Sequence, residues 1–72
     1  MNPQEARQIA ADALRDTSAK HLEVAFVVEK DGNWVVLLTR DDQDWVVKVP
    51  VHESASAEDF RSHVAHEVQR LF

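Results

Sequence analysis

The side chains best suited to hold a metal ion are two histidines and a glutamate near the carboxyl end of the sequence. His63, His66 and Glu67 could share one face of a helix. A zinc-protease helix, however, needs the order His-Glu-x-x-His, and this segment reads His63-Val64-Ala65-His66-Glu67. Charged side chains four residues apart on a solvated helix flank explain the same spacing. We therefore expect no metal and no other cofactor.

Nucleophilic and calcium-binding patterns are also missing. The serines between positions 54 and 62 lie near histidines, but none is in a Gly-x-Ser-x-Gly elbow. Asp41, Asp42 and Asp44 lack the central Gly and the final Glu of an EF-hand loop, so they indicate a polar turn. The chain has no cysteine and no glycine-rich phosphate loop. With no candidate catalytic residue, we expect that the protein is not an enzyme.

Composition limits the class of protein further. A chain of 72 residues, 44% of them hydrophobic, is typical of one small domain covering residues 1–72. The net charge of −5 and the scattered Lys and Arg disfavour nucleic acid and anionic membranes as partners. No apolar run approaches a membrane span, and the first residues lack the features of a signal peptide. We expect a cytoplasmic protein.

The elements that would position a functional surface are centred on residues 22–51. Nine of the eleven valines lie in this stretch, and β-branched side chains favour strands. Polar turn signals at residues 30–33 and 41–44 divide it into three strands of an antiparallel meander. In the second turn, we expect Arg40 to pair with Trp45 across a four-residue loop.

The first turn allows two registers. A two-residue turn at positions 31–32 pairs Phe26 with Leu37 and puts Phe26 on the face opposite Trp34. A three-residue loop at positions 30–32 pairs Phe26 with Val36 and puts both in the core. A one-residue slip moves a whole strand's side chains to the other face, so the hydrophobic pattern can choose between them. The three-residue loop separates apolar from polar side chains better, and we adopt it with Gly32 left-handed.

This register defines two faces. The predicted core face carries Leu22, Val24, Phe26, Val28, Trp34, Val36, Leu38, Trp45, Val47, Val49 and Val51. The other face carries an aliphatic patch that we predict to be a protein interface, formed by Ala25, Val27, Val35, Leu37, Val46 and Lys48. Because monomers rarely expose large apolar patches, we expect a protein partner or self-association, with a homodimer favoured. A predicted acidic surface accompanies it, formed by Asp41, Asp42, Asp44, Glu53, Glu58 and Asp59.

Helix signals flank the meander. Asn2 as the cap and Pro3 at the first position start a helix that runs to about Asp16. Ser56 caps a second helix that continues to the end of the chain. Its predicted buried stripe consists of Phe60, Val64, Val68 and Leu71. The expected fold is an α+β two-layer sandwich in the order α-β-β-β-α, with both helices on one face of the sheet.

The order helix, strand, strand, strand, helix resembles the topology of the double-stranded-RNA-binding domain. That resemblance implies phosphate contacts from a basic cluster opening the second helix, whereas this helix opens Ala57-Glu58-Asp59-Phe60. We therefore predict a small acidic protein-interaction module, such as a subunit, adaptor or inhibitor, that uses the uncovered sheet face and the acidic loops. The alternatives are a nucleic-acid-binding domain of this topology and an acidic inhibitor that mimics nucleic acid.

Overall fold

A computed structural model describes residues 1–19, 21–54 and 56–71. Its elements are helix α1 Pro3–Arg15, strands β1 Glu23–Lys30, β2 Asn33–Arg40 and β3 Gln43–Pro50, a short 3-10 helix Val51–Glu53, and helix α2 Ala57–Leu71. The predicted α-β-β-β-α order and α+β class are confirmed. Phe72, at the predicted end of the second helix, lies outside the described residues.

Both helices begin at the predicted caps. The Glu5 N–H donates to Asn2 Oδ1 at 2.8 Å, and the Asn2 amide donates to Glu5 Oε1 at 3.0 Å. The Asp59 N–H donates to the Ser56 hydroxyl at 3.1 Å. The bonds from the Glu5 and Asp59 N–H groups satisfy backbone donors that have no partner inside the helix, so each helix has a defined first turn.

The strands form one antiparallel sheet in the order β1-β2-β3, and the helices pack on one of its faces. Helix α1 lies over β1, α2 lies over β3, and the two helices contact each other. The buried core between the layers consists of Ala6, Ala10, Ala13, Leu14, Ala19, Leu22, Val24, Val27, Trp34, Val36, Leu38, Val47, Val49, Phe60, Val64 and Val68. Within the described ranges, no helix is long and apolar enough to cross a membrane.

The first hairpin has a two-residue turn. Lys30 pairs with Asn33, and the two residues between them both have positive φ, 53° at Asp31 and 79° at Gly32. Positive φ at both central residues is the mark of a type I′ turn, whose twist matches that of the flanking strands. The prediction of a left-handed Gly32 is confirmed, but the prediction of a three-residue loop is wrong.

A β-bulge in β1 explains why the hydrophobic pattern misled. Val24 pairs with Leu38, yet Phe26 pairs with Leu37, so Ala25 is an extra residue without a partner of its own. The extra residue makes β1 change face midway. Val24 and Val27 are both buried as a result. Phe26 points to the face without helices, so its predicted place in the core is wrong, and the same holds for Val28 two residues on.

The second hairpin is tighter than predicted. Arg40 pairs with Gln43, not with Trp45, across a two-residue turn in which Asp41 has a φ of 54°. Trp45 therefore pairs with Leu38. Because the register differs from the predicted one by two residues, an even number, each side chain of β3 keeps its predicted face.

The apolar stripe of α2 is shorter than predicted. Phe60, Val64 and Val68 are fully buried. Leu71, one turn further, is 46% exposed, so its predicted burial is wrong. The stripe therefore ends at Val68, and Leu71 is a surface residue in the helical layer.

Replacing Gly32 with Val is expected to lower the free energy of unfolding by about 1 kcal/mol or more, because a β-branched side chain resists positive φ. A Cβ at this position would have no heavy atom within 4 Å, so the loss would come from the backbone and not from a clash. Chemical denaturation measures the loss. Gly32→Asn is the matched control, since Asn tolerates the left-handed region. Equal stability of Gly32→Val and wild type would contradict the turn assignment.

Candidate protein-interaction surface

The sheet surface opposite the helices, which we call the outer face, carries two adjacent rows of mostly apolar side chains. Strand pairing aligns Phe26, Leu37 and Val46 in one row across the three strands. It aligns Val28, Val35 and Lys48 in the next row towards the first turn. Side chains that face each other across an antiparallel pair lie about 5 Å apart, so the two rows form one continuous surface.

The apolar side chains of these rows are open to solvent. Phe26 is 45% exposed, Val28 is 41% exposed and Val46 is 53% exposed, while Val35 and Leu37 in the central strand are half-buried. None of the described elements packs on this side of the sheet. We call the five residues Phe26, Val28, Val35, Leu37 and Val46 the outer patch.

Polar residues border the outer patch at both ends of the strands. Beside the first turn, Lys30 pairs with Asn33. At the other end, Glu23 pairs with Thr39, which pairs with Asp44. An apolar centre with a polar rim is the usual anatomy of a protein–protein interface.

The structure brings together most of the predicted interface residues and moves one of them. Val35, Leu37, Val46 and Lys48 lie on the outer face, and Ala25 is the exposed extra residue of the bulge. Val27 is only 5% exposed and belongs to the core, so its predicted place on the outer face is wrong.

Two members of the outer patch, Phe26 and Val28, were missed by the sequence analysis. The signal that could have found them is the Asp-Gly pair, which strongly prefers a two-residue type I′ turn and so places both residues on the face opposite Trp34. An aromatic residue joins the patch in this way, which makes the patch larger than the predicted aliphatic one.

The predicted acidic surface is divided between two ends of the sheet. All of its residues are exposed: Asp41, Asp42, Asp44, Glu53, Glu58 and Asp59. The first three lie in or next to the second turn, where β3 begins. Glu53 follows the other end of β3, and the last two belong to the first turn of α2. The structure therefore does not bring the six carboxylates together.

A cavity of about 450 Å³ lies between the two helices. Its lining consists of Ile9, Asp12, Asp16, Ala57, Glu58 and Arg61. The Arg61 guanidinium donates to the Asp16 carboxylate, and this hydrogen bond together with the negative charge raises the pKa of Arg61. Because Arg61 is already paired, we interpret this region as a polar contact between α1 and α2.

The histidines of α2 lie on its surface. His63 is half-buried and His66 is exposed. Glu67, which the sequence places four residues after His63, pairs instead with Arg70 at 3.3 Å. In the part of the chain that the structure describes, no three His, Asp or Glu side chains are grouped as a metal ion would require.

In comparisons with known proteins, no family model matches the chain, and no curated protein or solved structure shows significant similarity to it. The candidate surface is therefore interpreted from its own residues. Its distinguishing features are the exposed aromatic and aliphatic side chains in the centre and the charged side chains at both ends.

Proposed function

We propose that the chain is a non-enzymatic protein-interaction module that binds its partner through the outer patch. The observation that supports this most is the grouping of exposed apolar side chains. Among the described residues, five large hydrophobic side chains are exposed: Met1, Phe26, Val28, Val46 and Leu71. Three of these five, Phe26, Val28 and Val46, lie on the outer face. The central strand's Val35 and Leu37 connect them into one patch, which is what a contact surface requires and what scattered surface hydrophobics do not show.

The chemistry of the outer patch favours a protein over a nucleic acid as the partner. Its centre offers apolar side chains for desolvation and no hydrogen-bonding groups to read a base edge or a phosphate. The RNA-binding alternative would use the start of α2, whose first turn carries Glu58 and Asp59. The net charge of −5 also opposes phosphate binding. The proposal includes a cytoplasmic location and no cofactor.

A photo-crosslinking amino acid in place of Phe26 tests the proposal in the native host. Crosslinked products are identified by mass spectrometry. We expect a product between this position and one defined protein, either another copy of the chain or a different protein. The control carries the crosslinker in place of Leu71, which is similarly exposed but lies in the helical layer. Absence of a product from position 26, or the same products from both positions, would refute the proposal.

Leu37→Glu is expected to reduce the yield of the position-26 product by tenfold or more, because it buries a charge in the centre of the contact. Leu71→Glu makes the same chemical change outside the outer face and is expected to leave the yield unchanged. Circular dichroism of both variants checks that they are folded. An undiminished crosslink in a folded Leu37→Glu variant would show that the outer patch does not make the contact.

A further inference from the structure

The charged side chains of the outer face are sorted by sign along the strands. Strands β1 and β3 both run antiparallel to β2, so they run in the same direction. Lys30 and Lys48 lie near the ends of these two strands, beside the first turn. Glu23 and Asp44 lie near their beginnings. The outer face therefore has a positive end and a negative end, with the outer patch between them.

This charge pattern distinguishes the ways in which two copies can pack face to face. A two-fold axis between two facing sheets lies in the plane that separates them. If the axis runs along the strands, the positive end of one copy covers the positive end of the other. If the axis runs across the strands, each positive end covers a negative end. Opposite charges across an interface favour binding and like charges oppose it, so the second arrangement is selected.

We infer that the occupant of the outer face is a second copy of this chain, packed face to face about a two-fold axis that runs across the strands. This inference rests on the proposed function, because both require the outer face to be a contact surface. It goes further by naming the partner and its orientation. The support is that the outer face is complementary to itself in charge and in its apolar centre.

The same axis matches the apolar residues of β1 and β2, and in β3 it places Val46 opposite the aliphatic stem of the partner's Lys48. When it passes between the two rows, Phe26 covers the partner's Val28, and Leu37 covers the partner's Val35. Lys48 then lies beside the partner's Asp44, and Lys30 beside the partner's Glu23. Packed sheets usually cross at about 30°, so the long lysine side chains reach these carboxylates from neighbouring positions. Each dimer gains four opposite-charge contacts at its rim.

Pairing through the sheet edges fits the structure less well than pairing through the outer face. The β1 edge contains the Ala25 bulge, which interrupts the regular ladder and twists the edge. Strand β3 ends at Pro50, which has no backbone N–H to donate. Face-to-face contact therefore explains the exposed side chains, whereas edge pairing would leave them exposed.

The size of the outer face predicts a weak dimer. Three strands of eight residues cover roughly 27 Å by 14 Å, on the order of 400 Å² per copy. Stable specific interfaces bury about 800 Å² per partner. We therefore expect a dissociation constant on the order of micromolar or weaker.

Charge reversal tests the orientation. Sedimentation equilibrium is measured for wild type, Lys48→Glu, Asp44→Lys and an equal mixture of the two variants. Both positions are exposed, so the fold should tolerate either change. Each variant alone has two like-charge contacts in its own dimer and is expected to raise the dissociation constant about tenfold. In the mixed dimer the introduced charges face each other, so the mixture is expected to associate about as strongly as wild type.

Two kinds of result would overturn the inference. If the wild-type protein is monomeric at about millimolar concentration, the chain is not its own partner. In that case the proposed function still holds if the position-26 crosslink reaches a different protein. If there is no crosslink, both the inference and the proposed function are wrong. If wild type dimerises but the mixture associates no more strongly than the single variants, the axis across the strands is wrong.

Discussion

Phe60→Ala is expected to lower the free energy of unfolding by about 3–5 kcal/mol, the usual loss when a buried aromatic side chain is removed from a core. Phe60 is fully buried in the first half of α2. Its ring lies edge-on to Trp34, with ring centroids 6.0 Å apart and an interplanar angle of 66°. The substitution therefore removes the ring contact between α2 and the central strand and leaves a cavity where the two layers meet.

The loss is large relative to the stability expected for so short a chain. The free energy of unfolding of a domain is roughly 0.05–0.15 kcal/mol per residue, which is roughly 4–11 kcal/mol for a chain of this length. Chemical denaturation followed by tryptophan fluorescence and circular dichroism measures the difference at low protein concentration, so that self-association contributes little.

Phe26→Ala is the matched control for Phe60→Ala. Phe26 is 45% exposed on the outer face, so its removal is expected to reduce stability by no more than about 1 kcal/mol. A stability loss as large at Phe26 as at Phe60 would mean that the register of β1 has been assigned incorrectly.

Ala10→Leu is expected to lower the free energy of unfolding by about 1–3 kcal/mol, because it adds a long side chain to a filled space. Ala6, Ala10 and Ala13 are fully buried on the side of α1 that contacts β1 and α2. Small side chains let the helix lie close to both neighbours, and a leucine would force the helix away from them.

Ala57→Leu is the control for Ala10→Leu, because Ala57 is an exposed residue in the first turn of α2. The free energy of unfolding of this variant, measured by chemical denaturation, should be close to that of wild type. An Ala10→Leu variant more stable than wild type would show that unfilled space lies beside α1.

The first strand shows where sequence reasoning succeeded and where it failed. The choice between registers assumed that the side chains of β1 alternate between the two faces of the sheet without interruption. On that assumption the three-residue loop was the better fit. The bulge at Ala25 breaks the alternation, so Val24 follows one register and Val27 follows the other. The local turn preference of Asp31-Gly32 was the stronger signal, because it acts on the backbone itself.

The second turn shows a different limit. Asp41 adopts positive φ without glycine, in a turn of two residues. Nothing in the sequence of four polar residues specifies which two form the turn. The neighbouring strands decide it, since pairing Arg40 with Gln43 extends the ladder of hydrogen bonds to its full length.

The sequence by itself determined the features that depend on neighbouring residues: the caps at Asn2 and Ser56, the number and order of the elements, and the alternating faces of β2 and β3. Only the tertiary structure decided the position of the bulge in β1. That position depends on pairing between strands and on packing against the helices, which no local pattern specifies. The two-residue turn places Phe26 and Val28 on the outer face and Val27 in the core, and the bulge lets Val24 face the core as well. The outer patch therefore follows from the local turn, whereas the burial of Val24 together with Val27 is a consequence of the tertiary structure.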